Sequence, residues 1–190
     1  MPAHLGRGRM TSLAIHWDAD PATADVQTSD PLVVSAHLAH AGILFERWES
    51  AAELPADADE AAVQAVYGEA IERLKRHRAF QSFDVVRVTP ETSGLDALRA
   101  KFMAEHTHTE DEARFFVAGS GSFFLHIGVK VYRVRCGRGD LISIPAGTRH
   151  WFDMGPRPEF TAIRFFTRPD GWVAAYTGDV IAERFSAPVA

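Results

Sequence analysis

The sequence has little cysteine and lacks the features that mark several protein classes. Cys136 is the only cysteine among 190 residues, so the chain can form no internal disulfide, and we expect a reducing, cytoplasmic location. No apolar run approaches the roughly 18 residues that a membrane-spanning helix needs. The net charge is −5 and no basic stripe is present, which argues against a nucleic-acid partner.

The composition is that of an ordinary globular protein. Hydrophobic residues make up 46% and charged residues 24% of the chain, enough for one substantial core. We therefore expect one domain over residues 13–190. Residues 1–12 are interpreted as a disordered extension, because their two arginines are not followed by the apolar segment of a signal peptide. A monomer is expected, since no long apolar surface helix remains once the helix at 59–77 is packed.

Residues 30–80 contain two helix patterns. Asp30 and Pro31 are a typical N-cap and first helical residue. A longer apolar stripe at helical spacing follows over about 59–77, and its acidic start and basic end complement the helix dipole. These signals predict two helices, with a short strand at 43–48 between them.

Residues 84–166 carry short runs rich in valine, phenylalanine and isoleucine, separated by turns with glycine or proline. This spacing predicts an antiparallel β-sandwich or barrel. The expected fold class is therefore mainly β with flanking α-helices, followed by a C-terminal segment at 167–190. The run LRAKFMAEHTH, residues 98–108, is interpreted as one of the strands.

Three histidines and a glutamate have the spacing of a metal site. His106 and His108 are two residues apart, so on a strand both side chains point to one face, and Glu112 shares their parity. His150 comes from a distant strand and needs the folded barrel to join them. An isolated pair of histidines is equally typical of a strand surface, but four residues of ligand type with glycine and proline turns nearby favour a metal.

The donor set narrows the choice of ion. Three imidazoles and one carboxylate suit a six-coordinate ion such as Fe²⁺, Ni²⁺ or Mn²⁺, which would keep two positions open for a bidentate substrate. Closed zinc sites often use thiolates, and Cys136 lies outside this constellation. A structural zinc site is therefore disfavoured.

Strand parity also predicts a cavity beside the metal. If each strand is regular, Phe102 faces it with the histidine pair, Arg114 and Phe116 face it with the glutamate, and Phe152 faces it with the last histidine. Arg114 would place a fixed positive charge beside the metal, suited to an anionic substrate or intermediate. The alternative for Arg114 is an ion pair with a neighbouring carboxylate, Glu110 or Asp111.

The pattern resembles the two sequence motifs of the cupin superfamily, whose barrel is a double-stranded β-helix, or jelly roll. The matching positions are His106, His108, Glu112 and Gly119 in the first motif, and Gly139, Pro145, Gly147 and His150 in the second. Ala100 and Met154 depart from the pattern, which has glycine and asparagine there. Neither position is a metal ligand, so the departures concern the local backbone.

A closer resemblance is to the acireductone dioxygenase family of bacterial methionine salvage. It is carried by GILFERWE, EHTHTEDEARFFVAGSG, GDLISIPAGTRHWFDMG and PDGWVAAYTGDVIAERF, and runs from about Pro31 to Phe185. The resemblance implies oxidation of 1,2-dihydroxy-3-keto-5-methylthiopentene by O2. With Fe²⁺ the implied products are 4-methylthio-2-oxobutanoate and formate; with Ni²⁺ they are methylthiopropionate, formate and carbon monoxide.

The resemblance also implies roles for individual residues. The metal ligands would be His106, His108, Glu112 and His150. Arg114 matches an arginine that stabilises the substrate dianion, and Phe102, Phe152 and Trp172 match aromatic residues around the substrate.

Two other functions are compatible with these motifs. One is a different metal-dependent cupin dioxygenase or isomerase, and the other is a cupin that binds a small ligand without catalysis. Arg114 beside Glu112, together with the HWFDMG strand, favours the acireductone reaction. The choice between Fe²⁺ and Ni²⁺ is undetermined, because both use the same ligands in this family.

Overall fold

The structure of the chain is a computed structural model, which describes residues 11–49, 54–55, 57–168 and 172–186. Within these ranges the strands are β1 (Ser12–Trp17), β2 (Asp20–Thr28), β3 (Leu44–Arg47), β4 (Ser82–Val88), β5 (His106–Thr107), β6 (Glu112–Ile127), β7 (Lys130–Gly137), β8 (Asp140–Ile144), β9 (Arg149–Asp153), β10 (Phe160–Phe166) and β11 (Ala175–Tyr176). The helices are α1 (Pro31–His40), α2 (Glu60–Arg78), α3 (Leu95–Met103) and α4 (Ile181–Ser186). None of the helices in these ranges has the length and apolar character to cross a bilayer.

Two antiparallel sheets share the long strand β6. Its first half pairs with β8 and β10, and its second half pairs with β7 and β9. Strands β3 and β4 extend the first sheet, whereas β1, β2, β5 and β11 extend the second. Gly119 lies where β6 passes between the sheets. Its φ is +69°, and a Cβ there would lie 1.8 Å from the Glu159 carbonyl oxygen, so a larger residue does not fit.

The alternation of side chains along β6 divides the apolar residues among three layers. Phe116 and Phe123 point into the core between the sheets. Phe115 points to the outer face of the first sheet, which α2 covers, and Phe124 points to the outer face of the second, which α4 covers. Because β6 is buried on both faces in each half, consecutive apolar residues occur at 115–117 and 123–125 rather than in strict alternation. The predicted fold class, mainly β with flanking helices, is confirmed.

The two predicted helices form where the sequence signals place them. The Asp30 carboxylate accepts a hydrogen bond from the Leu32 amide at 2.9 Å and caps α1, and Asp59 caps α2 in the same way. The apolar stripe of α2 is buried against the first sheet. Each fully buried side chain of this kind contributes about 1.5–3 kcal/mol. The strand predicted at 43–48 is β3.

The strand predicted over residues 98–108 is wrong. Residues 95–103 form α3, and only His106 and Thr107 are extended enough to pair. The sequence LDALRAKFM is rich in good helix formers, and this local preference prevails over the strand pattern that its apolar residues also fit. Phe102 therefore approaches the cavity from a helix, and its strand parity with the histidines does not hold.

The predicted barrel limits, residues 84–166, are too narrow. Strands β1, β2 and β3 precede them and β11 follows them. The expectation of disorder is also wrong for Thr11, which is buried, and for Ser12, which begins β1; residues 1–10 lie outside the described residues. Strand β1 carries the alternating buried residues Leu13 and Ile15, a signal that was overlooked, whereas β2 is a polar edge strand whose pairing depends on β1.

Candidate metal centre

The three predicted histidines meet at one point of the structure. His106 on β5 lies opposite His150 on β9 in the sheet register, and His108 follows two residues after His106. The ring centroids are 4.5 Å apart for His106 and His150, 5.0 Å for His106 and His108, and 5.1 Å for His108 and His150. All three are buried, and one nitrogen from each lies within 4.8 Å of the others.

A backbone carbonyl fixes the orientation of each imidazole. The Nδ1 of His106 lies 2.7 Å from the Ala104 oxygen, that of His150 lies 2.8 Å from the Thr148 oxygen, and that of His108 lies 3.0 Å from Val173. Since a carbonyl can only accept, each Nδ1 carries the proton, and the neutral ring then presents its Nε2 lone pair. A partner of this kind on the second nitrogen is typical of histidines that bind metal.

Glu112, the first residue of β6, supplies a fourth donor atom. Its Oε2 lies 3.1 Å from the Nε2 of His150 and 3.2 Å from the Nε2 of His108. In the neutral tautomers these contacts bring together atoms that can only accept hydrogen bonds. They are favourable when a proton or a cation lies between the atoms, so the donor set fits a metal ion.

The buried surroundings shift the pKa values of the donors in different directions. Burial disfavours the ionised form of Glu112, but Arg114 and the two histidines outweigh it and hold its pKa well below the usual value. Burial and the neighbouring His150 lower the pKa of His106 to about 4, so that ring is neutral at pH 7. Burial also disfavours charge on His108, but Glu112 outweighs this effect and raises its pKa.

Arg114 lies beside the carboxylate inside a group of aromatic rings. Its Nη2 is 3.1 Å from Oε1 of Glu112, and its guanidinium carbon is 4.5 Å from the centroid of Phe152 and 5.6 Å from that of Trp172. The side chain is buried, and its Nε has no hydrogen-bond partner. The alternative ion pair with Glu110 or Asp111 does not form: these carboxylates hydrogen-bond to Thr167 and to the Ala146 amide, respectively.

These residues line a cavity of about 510 Å³. It is bounded on one side by α3 and on another by residues 172–177, which we call the C-terminal strap. All the predicted site residues line it, namely Phe102, His106, His108, Glu112, Arg114, His150, Phe152 and Trp172. Phe116 was also predicted, from strand parity, to face the cavity. It is instead fully buried in the core, where it packs against Phe152 and Phe160.

The sequence reasoning missed several residues of the cavity wall. They are Leu98 and Lys101 on α3, Arg164 on β10, and Val173, Ala174 and Tyr176 on the strap. Arg164 lies opposite Arg114 in the strand register and pairs with Asp84 through two hydrogen bonds of 2.9 and 2.6 Å. Alternation along FTAIRFF could have identified it, because its parity matches that of the inward Phe160 and Ala162.

A two-sheet barrel that gathers three histidines and a carboxylate in one cavity defines a metal-dependent enzyme of the cupin type. The chain belongs to the ARD/ARD' family, which matches it over residues 13–174. The family predicted from the sequence motifs is thereby confirmed.

Individual relatives agree with this assignment. Acireductone dioxygenase of Parvibaculum lavamentivorans is 51% identical over 176 residues, which cover 93% of this chain and 96% of the relative. That of Parasynechococcus marenigrum is 52% identical over 157 residues, covering 83% and 84%. The solved structure of acireductone dioxygenase from Bacillus anthracis, with cadmium ion in its active center, is 31% identical and has a TM-score of 0.77. That match covers 89% of this chain and 99% of the other.

Proposed function

We propose that this chain is an acireductone dioxygenase, which oxidises 1,2-dihydroxy-3-keto-5-methylthiopentene with O2 in methionine salvage. The observation that carries the proposal is a cluster of three buried histidine nitrogens, two of them in contact with a Glu112 carboxylate oxygen, beside a buried arginine in an aromatic cavity. The relatives at about half identity carry the same name.

In this proposal His106, His108, Glu112 and His150 bind one Fe²⁺ or Ni²⁺ ion. When bound, the ion acts as a Lewis acid that favours the deprotonated enediol and holds it for reaction with O2. The three carbonyls on the Nδ1 atoms keep the rings turned toward one point, so binding requires little rearrangement.

Arg114 has the position to hold the charge of a deprotonated substrate. Its guanidinium stays protonated, and its unpartnered Nε offers a donor in addition to the one that Glu112 uses. The rings of Phe102, Phe152 and Trp172 around it exclude water from that charge and offer apolar contacts to a methylthio tail, because sulfur packs well against aromatic rings.

The products would then depend on the metal, as in the family that the sequence resembles. Fe²⁺ would give 4-methylthio-2-oxobutanoate and formate, and Ni²⁺ would give methylthiopropionate, formate and carbon monoxide. A cytoplasmic location and a monomeric state remain predictions; mass measurement in solution tests the second.

The proposal is tested by metal content and by the loss of acireductone under O2, followed by absorbance. We expect metal-loaded protein to consume acireductone far faster than the spontaneous reaction, and the His150→Ala variant to lose both metal and activity. His77→Ala, which removes an exposed histidine at the end of α2, is the matched control and should retain both. Normal metal content in His150→Ala would contradict the ligand assignment.

A further inference from the structure

His106 lies on a strand that has few backbone contacts of its own. Strand β5 is two residues long and pairs with β9 through a single residue pair, His106 with His150. Its other neighbour, β11, is also two residues long and belongs to the C-terminal strap. Such short ladders contribute little to holding a strand in place. Something else has to fix the backbone that carries this donor.

The side chain of Glu105, the residue before His106, supplies strong contacts at this point. It is fully buried, with Oε2 2.7 Å from the Nδ1 of His126 and Oε1 accepting a hydrogen bond of 2.8 Å from the Thr177 hydroxyl. The Glu105 carbonyl also accepts from the Thr177 amide at 3.1 Å. Because neighbouring residues on a strand point to opposite faces, this carboxylate lies behind the sheet that carries His106.

His126 joins the same cluster to the second histidine strand. It lies on β6 opposite Arg149, the residue before His150, and its Nε2 is 3.5 Å from both Arg149 Nη2 and Asp18 Oδ2. The residues that precede His106 and His150 therefore both contact one side chain. That side chain belongs to β6, the strand with most neighbours in the fold.

We infer that Glu105 is a positioning residue for the metal centre, which fixes His106 by anchoring β5 to His126 on one side and to Thr177 on the other. The inference rests on the proposed metal site. A buried carboxylate is costly without partners, so its two short contacts are both strong and directional. The contact with Thr177 also holds the strap whose Val173 carbonyl orients His108, so the cluster affects two of the three imidazoles.

The test is a Ni²⁺ titration of the full chain with the variants Glu105→Ala and Glu105→Gln. We expect Glu105→Ala to weaken Ni²⁺ binding about 10–100-fold, the usual effect of removing a group that orients a ligand. Glu105→Gln keeps an acceptor for Thr177 and should recover most of that loss. Glu69, an exposed residue of α2, provides the matched controls Glu69→Ala and Glu69→Gln, which should bind like the unmodified protein.

The absorption spectrum of the Co²⁺-loaded protein distinguishes positioning from a general loss of stability. A displaced His106 should change the Co²⁺ spectrum of Glu105→Ala, whereas the control variants should keep the original spectrum. If Glu105→Ala does not fold, Thr177→Val keeps the side-chain shape and removes the hydroxyl, with its bonds to Glu105 and from the Asp179 amide, and it should weaken Ni²⁺ binding several-fold.

Two results would overturn the inference. One is Ni²⁺ affinity within twofold of the unmodified protein, with an unchanged Co²⁺ spectrum, in Glu105→Ala or, if that variant does not fold, in Thr177→Val. The other is failure of the unmodified protein to bind either ion, which would also refute the proposed metal centre. Metal binding that depends on Glu105 without acireductone oxidation would refute the proposed reaction and leave the positioning role supported.

Discussion

Replacing Arg114 with methionine tests whether a fixed charge beside the metal ligands contributes to the reaction. Methionine matches the arginine side chain out to its Nε and packs well against rings, so it fills part of the space among Phe102, Phe152 and Trp172. The substitution therefore removes the charge and the hydrogen-bond donors while it keeps the packing of the aliphatic part of the side chain.

The size of the effect follows from the contacts of the guanidinium. Its 3.1 Å hydrogen bond to Glu112 is charge-assisted and buried, a type that contributes about 1.5–3 kcal/mol. A donor directed at charge that develops during a reaction contributes about 2.7–4 kcal/mol, or 10²–10³ in kcat. We expect Arg114→Met to lower kcat by about 10²–10³. Arg114 is not a ligand, but it holds the Glu112 carboxylate, so metal affinity should also fall about 10–100-fold, and kcat is compared per bound metal at saturating metal concentration.

The assay is steady-state acireductone loss with metal content measured on the same samples. Arg114→Lys keeps the charge but lacks the planar fork, so its kcat should fall between those of the unmodified protein and Arg114→Met. Arg87→Met, an exposed arginine on β4, is the matched control and should be unaffected. A kcat for Arg114→Met within threefold of the unmodified value would refute the reasoning.

Three further predictions concern the cavity wall, the sheet crossing and the pH dependence of metal binding. Phe102→Ala should raise the KM for acireductone about tenfold in steady-state kinetics, because it removes about 1–2 kcal/mol of apolar contact; an unchanged KM would exclude the ring from the substrate pocket. Gly119→Ala should lower the free energy of unfolding in urea by about 3 kcal/mol or prevent folding, because its Cβ meets the Glu159 carbonyl. Gly42→Ala has a similar positive φ but open space and should cost only about 1 kcal/mol, and equal losses would refute the steric argument. His108 has a raised pKa and holds a proton that a metal must displace, so Ni²⁺ affinity should fall about tenfold per unit as pH drops below 6.5; constant affinity in titrations between pH 6.5 and 5 would contradict this.

The cluster of metal donors could be predicted because its signals are local. His106 and His108 are two residues apart, and Glu112 follows after a short turn, so their common direction depends on a few backbone angles. His150 joins the other donors only through a long-range contact, which was predicted because His150 matches the second cupin motif. Phe102 lines the cavity as predicted, but the reason given for it was wrong. It lies on the helix α3 rather than on a strand, so strand parity does not explain its position.

The surroundings of the donors could not be predicted, because they depend on contacts between distant parts of the chain. Val173 orients His108 through its backbone carbonyl, and a carbonyl group has no sequence signature. The contact of Glu105 with His126 depends on how β5 and β9 align with β6, which is set by the complete sheet. Strand β2 was missed because its polar sequence is explained only by its place at the sheet edge.

The most direct test of the proposed function is product analysis of the same protein loaded separately with Fe²⁺ and with Ni²⁺, mixed with acireductone under O2. We expect both forms to consume acireductone and to release formate. Only the Ni²⁺ form should release carbon monoxide, in an amount equal to the substrate consumed. If neither form consumes acireductone faster than the metal-free protein and the spontaneous reaction, the proposed function is contradicted.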